Sequence, residues 1–244
     1  MPIDLTKTDG SLTIDEIQYQ AYKAEYVSFS SEAKAAMNIL LARIENLQLG
    51  MEAKRGRTLI EDVTNRIKTL DSCSEKLRRH NMELTPDNLR ERILDMAGIR
   101  VITPFEDDCF IIADNLENQS GLTVRRKKDY ISTPKENGYA SLHLTIEVEV
   151  FFLNEKKTVP VEVQIRDTTM NAWGVVEHNC CYKHNGDQDP KAREYFHKAA
   201  LKLQEFRRKA IQLRDYDTKK RKTTATATTT TAAPTPAVSA ATED

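Results

Sequence analysis

Val161-Glu162-Val163-Gln164-Ile165-Arg166 alternates apolar and polar side chains. A period of two belongs to an extended strand, whose successive side chains point to opposite faces. Val161, Val163 and Ile165, with Val159 before them, define a buried face. Glu162, Gln164 and Arg166 set an acid, an amide and a guanidinium in a row on the other. The stretch before it repeats the pattern. Leu142, Leu144, Ile146, Val148 and Val150 point one way, and Ser141, His143, Thr145, Glu147 and Glu149 the other. Residues 154–157 are the expected hairpin loop. Two such strands predict a sheet packed on one side and open on the other. A solvated outer face is the plain alternative for the polar row. His143 opposite it, with Asn171 and His178 two turns apart on the next helix, favours convergence at one end of the sheet.

Working outward, residues 98–103 read as a strand stopped by Pro104, residues 106–118 as a helix and residues 122–130 as a strand. Residues 132–138 form a loop by their Pro, Asn and Gly. Met37, Leu40, Leu41, Ile44 and Leu47 step at helical spacing, with Gly50 the expected stop. Residues 62–79 read as helical and very basic. Asp167 can cap a helix running to about residue 182, and Asp189-Pro190 suits the start of another. In that last helix Phe196, Ala199, Leu203, Phe206, Ala210 and Leu213 form a heptad seam, either packed on the domain's own sheet or shared between subunits. The fold class is therefore α/β (α+β), a mixed sheet flanked by helices. Its expected parts are an N-terminal helical extension (1–55), a core (56–188), a C-terminal helix (189–222) and a tail (223–244). The tail holds nine Thr and seven Ala in 22 residues, too few apolar groups to offset ordering entropy.

Composition narrows the function. The 244 residues carry 36 Lys plus Arg against 37 Asp plus Glu, a formal net charge of −1, which argues against a surface coated for duplex DNA. No apolar run approaches a membrane span, and the N-terminus does not read as a signal peptide. The cysteines show no paired C-x-x-C spacing; adjacent Cys180 and Cys181, between His178 and His184, would point to different faces and make a poor metal site. A cytoplasmic setting is expected. Against the neutral average stand two basic segments: 54–79, with eight Lys or Arg to four acids, and the run Arg125-Arg126-Lys127-Lys128. Such charges are usually a solvated face, but they also suit a polyphosphate. Asp95, just before a strand, and Glu162 are carboxylates that could hold Mg²⁺; for Asp95 alone, capping a turn is the simpler reading. Tyr139 could stack on a base. Neither a P-loop nor a Rossmann glycine motif occurs.

Taken together, these segments resemble the small alarmone synthetases, RelQ-like members of the RelA/SpoT homologues. The resemblance rests on Arg66-Ile67-Lys68, Asp95-Met96-Ala97-Gly98-Ile99-Arg100, Asp129-Tyr130-Ile131-Ser132, Lys135-Glu136-Asn137-Gly138-Tyr139 and Ser141-Leu142-His143. It continues through Glu162-Val163-Gln164-Ile165-Arg166, Met170-Asn171-Ala172-Trp173 and Glu177-His178. It implies a nucleotidyltransferase-like fold and transfer of pyrophosphate from ATP to the 3′-hydroxyl of GDP or GTP. The products are AMP and (p)ppGpp, the stringent-response alarmones. By motif, Asp95 would be the Mg²⁺ ligand, and Glu162 the base sharing the metal. Arg66, Lys68, Lys76 and Arg79 would bind ATP, with Arg100 near the transferred group. Tyr139 would stack on guanine, Lys128 and Lys135 would face the acceptor's phosphates, and His143, Gln164 and Asn171 would line its ribose and phosphates. Arg166, Glu177 and His178 would be supports. The resemblance also implies a homotetramer assembled through the last helices.

Two departures stand out: Ala140 where the family commonly has Arg, and Asp167 where it often has Thr. No His-Asp pair occurs, so synthesis without hydrolysis is expected. Two other readings stay open: pyrophosphorylation of the tRNA 3′ end, and a catalytically silent regulator that binds nucleotide or RNA.

Overall fold

The alternating stretches pair as antiparallel strands at the centre of a five-stranded mixed sheet. The computed structural model of the protein describes residues 14–181 and 190–230. The strands are β1 (Asp62–Ile67), β2 (Ala97–Thr103), β3 (Leu122–Asp129), β4 (Leu142–Phe152) and β5 (Glu155–Asp167), in the spatial order β1-β2-β5-β4-β3. β2 and β5 are parallel; every other pair is antiparallel. The helices are α1 (Ile14–Arg55), α2 (Leu70–Arg79), α3 (Pro86–Arg92), α4 (Glu106–Glu117), α5 (Thr168–Cys181) and α6 (Pro190–Thr230).

One face of the sheet is the core. Leu142, Leu144, Val161, Val163 and Ile165 are fully buried against Tyr22, Leu40 and Ile44 of α1, Leu77 of α2, Leu89 of α3 and Ile112 and Leu116 of α4. Each such side chain stabilises the fold by about 1.5–3 kcal/mol on burial. The opposite face carries the polar row.

Four local expectations change. Residues 62–79 are not one helix: β1 occupies 62–67 as an edge strand, and α2 starts after Thr69, whose hydroxyl accepts from Ser72 N at 3.2 Å. Pairing with β2 decides this, because β-branched Val63, Thr64 and Ile67 fit a pleated edge. Gly50 does not stop α1; Gly56 does, at φ 66° with its N–H on Glu52 O, a left-handed stop that glycine adopts without strain. The hairpin loop is only Leu153-Asn154, because Phe152 pairs with Glu155. α6 runs to Thr230, eight residues beyond 222. The remaining tail, residues 231–244, and His184 lie outside the described residues.

A smaller second core joins α5 and α6: Ala140, Met170, Trp173, Phe196 and Ala200. The heptad seam divides there. Phe196 is buried and Leu203 half-buried, while Phe206 and Leu213 are 59% and 69% exposed. Asp167 caps α5 by accepting from Thr169 N and Met170 N. It also meets Arg207 of α6, whose Nε reaches Glu106 at 2.8 Å. Arg214 forks onto both oxygens of Asp107. Charge pairs thus dock the last helix on the start of α4.

Candidate active site

Strand register builds the site. Two rows of residues run straight across the open face: Thr64, Arg100, Gln164, His143, Lys128, and, one pleat along, Arg66, Gly98, Glu162, Thr145, Arg126. Residues paired across a sheet share a face, so these side chains stand together although they come from positions 64 to 164 of the sequence. Gly98 sits between Arg66 and Glu162. A Cβ there would come no nearer than 3.8 Å to Arg66, so its smallness serves to leave the middle of the row open.

On the β1–β2 side lies a cleft lined by Thr64, Asn65, Arg66, Asp95, Gly98, Arg100, Glu162 and Gln164. Lys68 Nζ and Lys76 Nζ each grip one oxygen of Asp95, at 2.8 and 2.7 Å. Burial pushes the Asp95 carboxyl up; the two lysines outweigh that and hold it below the ordinary carboxylate range. Glu162 is held by Gln164 Nε2 at 3.0 Å, and His143 Nδ1 lies 3.6 Å from its other oxygen. Its burial is likewise outweighed, chiefly by His143, and its pKa falls below the ordinary value.

On the β4–β3 side the polar row becomes aromatic. Tyr139 Oη meets His143 Nε2 at 3.1 Å, and Tyr130 packs edge-on to His143. Lys135 Nζ sits over both the Tyr130 and Tyr139 rings, 4.8 and 5.1 Å from their centroids. The loop that carries it is a closed turn. Gly138 N donates to Lys135 O and Lys135 N to Tyr139 O, and Asn137 bridges to Glu177 of α5 at 3.2 Å. Arg166 Nη2 holds Asn171 at 2.7 Å.

Most of the expected site residues therefore converge. Arg79, at the exposed end of α2, and His178, exposed near the end of α5, contribute nothing to the cleft lining. The basic run 125–128 splits. Lys128 and Arg126 face the open side, whereas Lys127 turns to Glu117 of α4 and serves packing. Thr64 and Asn65 were not singled out in sequence, and Gly98, Tyr130 and Ser141 stood in the motif segments without a role. Their signal was register, which requires knowing which strands pair.

Asp95 and Glu162 give the cleft two hard oxygen donors, and no group of three or more His, Cys, Asp or Glu among the described residues is placed to hold a metal. That set fits Mg²⁺, which keeps few protein carboxylates and fills its shell with water and phosphate oxygens.

Residues 65–187 match the model of the region found in RelA / SpoT proteins, half of the chain. The chain belongs to the RelA/SpoT family. It is 35% identical over 200 residues to the GTP pyrophosphokinase YwaC of Bacillus subtilis, covering 82% of this chain and 91% of that one. It is 31% identical over 180 residues to YjbM, a GTP pyrophosphokinase of the same organism, covering 74% and 81%. The crystal structure of small alarmone synthetase 1 from B. subtilis bound to its product pppGpp superposes with a TM-score of 0.69 at 29% identity, covering 75% and 93%. The RelA/SpoT fold class is thus met in full. Both departures from the usual RelA/SpoT pattern have structural partners here. Ala140 is 2% exposed against Trp173, Phe196 and Ala200, and Asp167 is tied to Arg207 of α6.

Proposed function

We propose that this chain transfers the β,γ-pyrophosphate of ATP to the 3′-hydroxyl of GDP or GTP, releasing AMP and (p)ppGpp. The observation that carries this is the position of Glu162. It lies midway along the open sheet face, between a cationic cleft and an aromatic pocket, where a donor triphosphate and an acceptor nucleoside can meet. Glu162 takes the 3′-hydroxyl proton. The freed oxygen bonds to the β-phosphorus as the bond between that phosphorus and the α,β-bridging oxygen breaks, and AMP leaves. Such transfer needs positioning and charge neutralisation more than covalent chemistry. Arg66, Lys68 and Lys76 take the ATP side, with Arg100 beside the moving group, and Arg79, on the outer end of α2, is assigned to ATP by motif. Tyr139 stacks on guanine, Lys128 and Lys135 meet the acceptor's phosphates, and His143, Gln164 and Asn171 line its ribose and phosphates. Arg166 and Glu177 support the acceptor loop, and His178 is assigned with them. Asp95, with Glu162, would hold Mg²⁺, which when bound neutralises the triphosphate.

No helix among the described residues is long and apolar enough to cross a membrane, and nucleotide substrates of this kind support a cytoplasmic setting. Exposed Tyr195, Phe206, Leu213 and Tyr216 on α6 support assembly into a homo-oligomer, a tetramer by family likeness. The test is incubation with labelled ATP, Mg²⁺ and GDP, GTP or deacylated tRNA. Label on the guanine nucleotides is expected, and Glu162→Gln should abolish it while both nucleotides still bind. Label on tRNA alone, no label on any acceptor, or near-full AMP release by Glu162→Gln would overturn the reading.

A further inference from the structure

The hydrogen bonds around Tyr139 have a direction. Ser141 Oγ donates to Tyr139 Oη at 3.0 Å. With Ser141 donating to its oxygen, the Tyr139 hydroxyl has its own proton to give, and the acceptor beside it is His143 Nε2 at 3.1 Å. A neutral imidazole that accepts at Nε2 carries its proton at Nδ1. Nδ1 is the nitrogen that faces Glu162 Oε1, at 3.6 Å. That separation is long for a hydrogen bond, as is common before substrate arrives. Gln164 holds the other carboxylate oxygen.

We propose that the Tyr139 hydroxyl and His143 are positioning residues for the base. The chain from Ser141 through Tyr139 and His143 fixes one histidine tautomer, and that tautomer aims the Glu162 carboxylate at the acceptor's 3′-oxygen. This rests on the function proposed above and adds a second task to Tyr139: its ring meets the base of the acceptor while its hydroxyl sets the catalytic carboxylate. Occupation of the acceptor pocket and alignment of the base are thereby joined in one side chain, which makes the Tyr139 hydroxyl a determinant of turnover rather than of affinity.

Two measurements on the full chain test it. The first needs no turnover: ¹⁵N spectra of histidine-labelled protein at neutral pH, with the His143 signals assigned by their loss in His143→Asn. A single Nδ1–H tautomer is expected in the wild type and a mixture in Tyr139→Phe. An Nε2–H or doubly protonated ring in the wild type, or no change in Tyr139→Phe, overturns the proposal. The second is steady-state kinetics. Tyr139→Phe should lower kcat about tenfold with the KM for GDP within about twofold, since misaimed groups lose rate rather than binding. His143→Asn, which keeps a donor near the δ position, should turn over about tenfold faster than His143→Gln, which does not. Adding Tyr139→Phe to His143→Gln should cost nothing further, because the hydroxyl acts through the imidazole. Unchanged kcat in Tyr139→Phe, a rise confined to KM, or multiplied losses in the double variant overturns it. A wild type that turns over no guanine nucleotide would sink the proposed function alone, and the spectra would still judge the tautomer.

Discussion

Asp95 is already occupied by the protein's own cations. Its two oxygens are taken by Lys68 and Lys76, and on the acceptor side Lys135 lies across two tyrosine rings. Charged groups in a part-buried cleft cost desolvation energy unless paired, and these three lysines rest on internal partners. On the proposed function, phosphate oxygens would exchange one partner for another rather than meet bare charges. Lys76→Met is expected to weaken ATP binding by about tenfold, the size of one charge-assisted hydrogen bond. It should also increase Mn²⁺ binding to the nucleotide-free protein, because one competitor for Asp95 is gone. Calorimetry with a non-hydrolysable ATP analogue and titration of free Mn²⁺ by electron paramagnetic resonance check both; unchanged Mn²⁺ affinity would show that the clasp does not compete. Gly138 makes the opposite point. Its φ is +89° and an added Cβ would lie 2.4 Å from Ala200 Cβ. Gly138→Ala must therefore push the 135–139 turn off α6, and it should raise the KM for GDP several-fold while leaving that for ATP unmoved.

Among the elements, α6 depends most on partners that are distant in sequence. Arg207 is 6% exposed between Glu106 and Asp167. Its removal leaves Asp167 buried without a counter-charge, which costs about 3 kcal/mol. At roughly 2–4 °C per kcal/mol for a chain of this size, Arg207→Met should lower the melting temperature by about 10 °C. A melt within 2–3 °C of wild type would show that the apolar contacts of Phe196 and Ala200 suffice. The heptad seam of this helix is only half met within the fold. All six seam positions were apolar, but only the first half has a partner in the fold. Periodicity reports an amphipathic face without saying what covers it. Residues 62–79 failed for the converse reason: a short edge strand gains its stability from the strand beside it, and its own burial pattern has no alternation to read.

At the scale of the molecule, α1 is fastened to the catalytic sheet through a buried charge. Glu32, fully buried, takes Arg90 of α3 and Lys157 of β5. Burial alone would raise its pKa, yet the two cations hold it below the ordinary value. A depressed carboxyl contributes stability that is present above the unfolded-state pKa and is lost as pH falls through the lower folded-state pKa. Glu32→Gln should therefore destabilise the protein near neutral pH, and the difference from wild type should shrink below about pH 4. Urea melts across pH 3–7 check this; a difference constant with pH would place the effect in packing rather than charge. The exposed half of the α6 seam belongs to this scale too. If the seam forms the proposed oligomer interface, Phe206→Glu should lower the mass seen by light scattering, and an unchanged mass or a monomeric wild type would remove that role from it.

The strands β4 and β5, the covered and open faces of the sheet, and the candidate roles of Glu162, His143, Gln164 and Tyr139 were all legible in the sequence. Alternation is a local property, and the motif segments are local runs whose residue types announce their chemistry. Where α1 ends, which basic residues turn inward, and the straight rows from Thr64 to Lys128 and from Arg66 to Arg126 were decided only by tertiary structure. Register and helix docking are settled by pairings between positions far apart in the chain, and no local pattern encodes which partner a side chain will meet.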